Sequence, residues 1–141
     1  MRRARQIVND LGGQPFSIWK QDKAAYHAWG TFASPLLTAL LATSERVAAA
    51  ARVPPKAARQ RMLPMVAQTI ANYAATGAAS AFSGPIVRGD MDVVRQHLRA
   101  LQAVPQAREV YLALARAALK YLPGKRRAAM RRLLNDPRTT T

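Results

Sequence analysis

The chain has 141 residues, which is the size of one domain or of two very small ones. Its 22 Lys and Arg against 7 Asp and Glu give a formal net charge of +15, and 50% of its residues are hydrophobic. That apolar fraction excludes a wholly disordered chain. The absence of Cys excludes a disulfide framework, a Cys-ligated metal site and a thiol nucleophile. Without Cys, and without an apolar signal segment behind Met1, we expect a cytoplasmic protein.

The first twenty residues predict a short helix followed by a short extended segment. Residues 2–11 have the spacing of a helix, which Gly12 and Gly13 stop. Residues 14–19 alternate apolar and polar side chains, as a strand does. A lone strand leaves its backbone groups unsatisfied. The segment is therefore either a linker or a strand that pairs with a sheet supplied elsewhere.

The rest of the chain predicts helices. A long helix is expected over residues 22–52, with Asp22 as its N-cap or first-turn acid and a bend at Pro35. The next helix runs over residues 55–76 and is closed by Gly77, and residues 78–89 have the composition of a loop.

Three more helices follow this loop. Asp90 is a good N-cap for a helix that ends near residue 104, and Pro105 suits the first turn of a helix over 105–121. A last, basic helix occupies residues 125–134. The pattern predicts an all-α bundle of about five helices.

Two long stretches, residues 24–44 and 62–87, contain no Lys, Arg, Asp or Glu. Each is long enough to cross a bilayer. Both carry many Ser, Thr, Asn, Gln, Gly and Pro residues, and hydrocarbon penalises such residues, so we expect no membrane span. A helix without charges around its circumference is normally buried on most sides. These stretches therefore predict packing against something outside this sequence.

Polar side chains line one face of the first long helix. Lys23 and His27 are four residues apart and share a face. On a helical wheel Ser34 lies about 20° from Lys23, and Thr31 about 80°. One interpretation is a Lys or His that polarises a carbonyl or exchanges a proton, with hydroxyls that orient the substrate. The other is a buried His satisfied by a backbone carbonyl and a solvated Lys.

The segment Ser-Gly-Pro-Ile-Val-Arg-Gly-Asp at 83–90 also has two interpretations. Its glycines let an anion approach backbone N–H groups, with Arg88 supplying positive charge. Alternatively, it is a tight turn before a capped helix, with Arg88 paired to Asp90 or Asp92.

The C-terminal end is strongly basic. Its charges suit nucleic acid or an anionic membrane, but a solvated terminal helix has the same composition. Met130, Leu133 and Leu134 form its candidate apolar side. The basic residues are Lys120, Lys125, Arg126, Arg127, Arg131, Arg132 and Arg138.

Three segments together resemble a bacterial family, the domain of unknown function 2520. They are Lys-Ala-Ala-Tyr-His-Ala at 23–28, Phe-Ala-Ser at 32–34, and the segment at 83–90. The resemblance covers roughly residues 12–121. This family is similar to pyrroline-5-carboxylate reductases and other 6-phosphogluconate dehydrogenase-like oxidoreductases, in which a helical half follows a Rossmann-like half.

The resemblance implies roles for four residues. It places Lys23 and His27 as catalytic residues at the nicotinamide end of a cofactor, and Ser34 and Arg88 as substrate contacts. Lys23 is likened to the catalytic Lys of 3-hydroxyacid dehydrogenase relatives, and His27 fills the place of their Asn. Pro35 departs from the Asn expected after Ser34, which removes an amide donor from the implied site.

The resemblance also implies an organisation for the chain. Residues 1–19 correspond to the last helix and strand of a Rossmann-like domain, 20–122 to a dimerising and substrate-cleft domain, and 123–141 to a basic helix and tail. The chain contains no G-x-G-x-x-G. NAD(P) is therefore implied for the complete protein, and no cofactor or metal for this chain alone. We expect a homodimer, with a Rossmann-like domain in cis or in trans. Compared with the family, the chain is expected to be a fragment that lacks most of the Rossmann-like half. A small basic nucleic-acid-binding protein is the alternative, which the lack of aromatics among the basic residues disfavours.

Overall fold

The computed structural model describes residues 2–136, which divide after Thr38 into an N-terminal unit and a C-terminal unit. Within the described residues all regular secondary structure is helical, which confirms the predicted all-α class. Arg138 and the threonines at the C-terminus lie outside the described residues.

The N-terminal unit contains α1 (Arg2–Asp10), a 3-10 turn (Lys20–Asp22) and α2 (Lys23–Ala33). The strand expected over residues 14–19 is not formed, and these residues have no regular structure before the 3-10 turn. The described residues contain no other strand to pair with it, so its backbone has no ladder to join. Almost every residue of this unit is exposed.

The predicted long helix is two helices, α2 and α3 (Pro35–Ala50). Ser34 separates them with φ −130° and ψ −79°, which is not helical. Pro35 is the first residue of α3, where its missing N–H costs nothing because that donor has no partner inside the helix. The chain thus breaks one residue before the position at which a bend was expected.

Helix α4 (Pro55–Ala81) is the longest, with Pro64 inside it. Gly77 interrupts it with φ 75° and ψ 172°, and one further helical turn follows over residues 78–81, which were expected to be loop. A short α5 (Pro85–Arg88) comes next. The predicted bounds of the remaining helices hold to within a few residues: α6 (Met91–Ala100) with a 3-10 turn (Leu101–Ala103), α7 (Pro105–Tyr121) and α8 (Arg127–Asn135).

The hydrophobic core lies in the C-terminal unit, where α6, α7 and α8 pack together. Val94, Met130 and Leu134 are completely buried. Helix α8 therefore supplies part of the core as well as basic charge. The core residues are Val94, Leu98, Leu112, Ala115, Leu119, Met130, Leu133 and Leu134.

Candidate functional site

Lys23 and His27 occupy the first two turns of α2 and share a face, as predicted from their spacing. Both side chains are exposed, so His27 is not a buried, satisfied core histidine. Asp22 takes the N-cap position of α2, but its side chain accepts no capping hydrogen bond. The lysine and the histidine are thus free to meet a molecule that approaches this face.

Aromatic side chains stand beside His27. The Tyr26 ring centroid lies 5.5 Å from that of Phe16, 5.6 Å from that of Trp29 and 6.3 Å from that of His27. Trp29 stays 64% exposed. This cluster was missed at the sequence level, although the spacing of Tyr26 and Trp29, three residues apart on α2, signals it.

The aromatic cluster borders an open hollow of about 440 Å³ on α2. The Thr31 hydroxyl donates to the His27 carbonyl at 3.0 Å, so its proton is already used. Neither Lys23 nor Ser34 lines the hollow. The hollow is lined by Tyr26, His27, Trp29, Gly30, Thr31 and Pro35.

Ser34 ends α2: its N–H still donates to the Gly30 carbonyl at 3.1 Å, but its own φ and ψ are not helical. Its carbonyl accepts from the Thr38 N–H at 3.0 Å and from the Thr38 hydroxyl at 3.2 Å. The Ser34 side chain is exposed. The helical path that the wheel assumes thus ends at Ser34, and the residues that follow take a new direction.

Arg88 belongs to the C-terminal unit and is exposed at the end of α5. The predicted pairing with Asp90 or Asp92 is not formed within residues 2–136. The Asp90 carboxylate instead accepts from the Val93 N–H at 3.3 Å and caps α6 as predicted, and Asp92 pairs with Arg95 at 2.6 Å. Arg88 is therefore open to another anionic group.

Gly89, next to Arg88, allows two backbone segments to approach each other closely. Gly89 has φ 69°, and a Cβ at this position would lie 2.8 Å from the Lys125 carbonyl oxygen and 3.0 Å from the Arg126 Cβ. The Lys125 N–H donates to the Val87 carbonyl at 2.8 Å. The turn interpretation thus accounts for Gly89, which lets this segment dock on the chain before α8.

The basic C-terminal residues have two different roles in the structure. The Arg127 guanidinium donates to the Leu119 carbonyl, and Arg116 donates to the Leu134 carbonyl at 2.6 Å. Both arginines satisfy carbonyls near helix C-termini, where positive charge is favourable. The side chains of Arg131 and Arg132 are exposed.

The C-terminal unit also contains an apolar cavity of about 630 Å³, which sequence reasoning missed. The His97 Nδ1 lies 3.3 Å from the Tyr111 hydroxyl oxygen in its wall, and burial raises the pKa of Tyr111 above its usual value. None of Lys23, His27, Ser34 and Arg88 lines it. The lining residues of α3 are Leu40, Thr43, Ser44, Val47 and Ala50; the others are Ala51, Phe82, Ile86, His97, Ala100, Leu101, Ala103, Val104, Ala107, Val110, Tyr111, Leu114, Ala115 and Ala118.

Two further kinds of feature are absent from residues 2–136. These residues contain no group of three or more His, Asp and Glu side chains that could hold a metal ion. None of the described helices combines the length and the apolar character that a membrane span requires.

Comparison with known proteins gives one match. A family model described as "Domain of unknown function (DUF2520)" matches residues 1–118. The match includes the segments at 23–28 and 83–90, and it begins earlier than the resemblance in the sequence indicated. No curated protein and no solved structure matches the chain.

Proposed function

Since the chain belongs to the DUF2520 family, we propose that it is the helical half of an NAD(P)-dependent oxidoreductase-like protein. In this role it pairs with a second copy of itself and covers the substrate end of a cofactor that a Rossmann-like domain holds. Lys23 and His27 are the catalytic residues, and Ser34 and Arg88 contact the substrate.

The observation that carries the proposal is the bare apolar surface of α4. Residues 62–81 of this helix contain no charged residue, yet most of them are exposed. Met65 is 64% exposed, Ile70 53% and Tyr73 61%. A helix of this composition is normally covered by protein, because most helical stability in water comes from packing. Helix α4 therefore needs a partner.

The absence of charge on this surface allows a second copy to be that partner. Two chains of net charge +15 repel each other wherever their basic surfaces meet. Before the break at Gly77, the uncharged part of α4 (residues 62–76) is about 22 Å long at 1.5 Å per residue. It allows two copies to meet without placing like charges in contact. Pairing of this surface with the same surface of a second copy would give the twofold symmetry that most homodimers have.

We expect the chain to associate reversibly in solution, and Ile70→Lys to weaken the association at least about tenfold, because the interface would then have to bury an unpaired charge. Sedimentation equilibrium over a range of protein concentrations measures both effects. Gln102→Lys adds the same charge at an exposed position of the C-terminal unit and should leave the association constant almost unchanged. A chain that stays monomeric at all concentrations would contradict the pairing.

The cleft role is supported by the exposed face of α2. Lys23 and His27 are accessible one turn apart, and Tyr26 and Trp29 beside His27 offer flat apolar surfaces. A Lys ammonium or a protonated imidazole can donate a hydrogen bond to a carbonyl oxygen and stabilise the charge that develops there during reduction. The bound nicotinamide cofactor supplies the hydride.

We expect the nucleotide site and the catalytic site to be separable. The chain alone should show no saturable change in NADPH fluorescence, because it lacks a phosphate-binding motif, whereas a family member that carries both halves should bind NADPH. Tight NADPH binding by this chain alone would contradict the division of roles.

The same family member provides the test of the residues. Replacing its counterpart of Lys23 or His27 by Ala should lower turnover by about 10²- to 10⁴-fold and leave the NADPH dissociation constant within about twofold. Replacing its counterpart of Lys20, an exposed Lys in the preceding 3-10 turn, is the matched control and should have little effect. Unchanged turnover in the Lys23 and His27 variants would mean that the chain is an interaction module without an active-site role.

A further inference from the structure

The lining of the apolar cavity in the C-terminal unit includes none of the four proposed site residues, and its wall carries one polar pair. We propose that this cavity binds an amphiphilic monocarboxylate, with the hydrocarbon chain along α3 and the carboxylate at the His97–Tyr111 pair. This inference does not depend on the proposed oxidoreductase role.

The shape and the lining of the cavity suit a hydrocarbon chain. Its volume of about 630 Å³ is within the range of small-molecule sites, about 300–1,000 Å³. From Leu40 to Ala50 its wall follows α3 for about 15 Å at 1.5 Å per residue. Most of its lining is Ala, Val and Leu. Burying an apolar chain against such a wall contributes about 25 cal/mol per Å² of area removed from water.

The position of the polar head can be inferred from the hydrogen bonds that the polar lining side chains already make. The Thr43 and Ser44 hydroxyls donate to the carbonyls of Ala39 and Leu40 at 2.8 and 2.9 Å. The remaining polar side chains of the lining are His97 and Tyr111, from α6 and α7, which meet at 3.3 Å with perpendicular rings. They form one polar point on an apolar wall, which is the arrangement that orients an amphiphile.

The chemistry of the pair favours an anionic head. When the His97 Nδ1–H donates to the Tyr111 oxygen, the phenolic O–H is free to donate to a ligand. The Tyr111 hydroxyl keeps its proton at neutral pH, since the ordinary pKa of Tyr is about 10 and burial raises that of Tyr111 further. No Asp or Glu lines the cavity, and the chain as a whole is strongly positive. A carboxylate therefore meets a donor and a favourable field, whereas an ammonium head meets neither.

Dodecanoate, used below its micellar concentration with the full chain, tests the proposal. Isothermal titration calorimetry should show saturable binding with one ligand per chain. Dodecyltrimethylammonium, with the same hydrocarbon chain and the opposite charge, should bind at least about tenfold more weakly. Equal affinity for the two amphiphiles, or no binding of dodecanoate, would overturn the proposal.

Two variants locate the binding. Leu114→Trp fills the cavity from a lining position and should abolish binding, whereas Leu11→Trp makes the same change at an exposed position of the N-terminal unit, outside the cavity lining, and should not. Tyr111→Phe removes the donor with little change in volume and should weaken binding about tenfold. Circular dichroism checks that each variant is folded. If Leu114→Trp instead dissociates the dimer while dodecanoate does not bind, a second copy fills the cavity and the proposal is wrong.

Discussion

Gly89→Ala is expected to lower the free energy of unfolding by about 2–5 kcal/mol, a large part of the 5–15 kcal/mol that holds a domain together. Two independent costs add. A residue with a Cβ is strained by about 1–2 kcal/mol at the left-handed φ of 69° that Gly89 adopts. The new methyl group would also lie 2.8 Å from the Lys125 carbonyl oxygen. Because this neighbour is backbone, relief requires the chain before α8 to move, which costs about 1–3 kcal/mol more.

Gly89→Asn separates the two costs. Asn adds the same Cβ beside the Lys125 carbonyl oxygen, but it tolerates the left-handed conformation of Gly89 better than Ala does. It should therefore keep the contact part of the loss and recover some of the conformational part, and urea denaturation of both variants followed by circular dichroism measures the difference. A loss close to zero for Gly89→Asn would mean that the approach of Gly89 to Lys125 does not matter for stability.

Local signals in the sequence were sufficient where a residue acts on its own backbone. Asp90 was predicted as the N-cap of α6, and its carboxylate accepts the Val93 N–H. Pro105 was predicted at the start of α7, and it is there. Gly77 was predicted to end α4, and the helical dihedral angles do break at this glycine. Each of these outcomes depends on a few neighbouring residues, which a sequence displays directly.

Features that depend on distant residues could not be read in the same way. The alternation at residues 14–19 has the period of a strand, but a strand also needs a partner, and no described residue provides one. The His97 side chain is exposed and meets Tyr111, 14 residues away, a contact that no spacing within one helix indicates. The apolar cavity forms only where α3, α6 and α7 come together, so no single segment of the sequence indicates it. Its lining residues are ordinary Ala, Val and Leu in the sequence.

The uncharged helices are an intermediate case. The sequence predicted that another surface must cover them, and the structure shows which of their residues remain exposed. Residues 62–81 were expected to be buried by something outside the chain, and most of them are indeed exposed in this structure. Composition cannot name the partner, since any apolar surface would satisfy the helix. Charge narrows the choice, because a surface without charge is where two copies of a strongly basic chain can meet with least repulsion.

Leu134→Ala should lower the free energy of unfolding by about 2–5 kcal/mol, although it lies in a helix that the sequence presents as a basic terminal segment. Leu134 is completely buried, and with Met130 and Leu133 it joins the core formed by α6 and α7. Truncating it leaves a cavity that the surrounding helices can fill only in part. Thermal and urea unfolding measure the loss.

Arg131→Ala is the matched control for this variant, because it lies on the same helix with its side chain exposed. It should change the unfolding free energy by no more than about 0.5 kcal/mol. A small effect of Leu134→Ala, comparable to that of Arg131→Ala, would mean that α8 is dispensable to the fold. Its basic residues would then need a role of their own. A large effect of Leu134→Ala with a small effect of Arg131→Ala would mean that the fold needs α8 for its contribution to the core. The exposed arginines of α8 would then be available to an anionic partner.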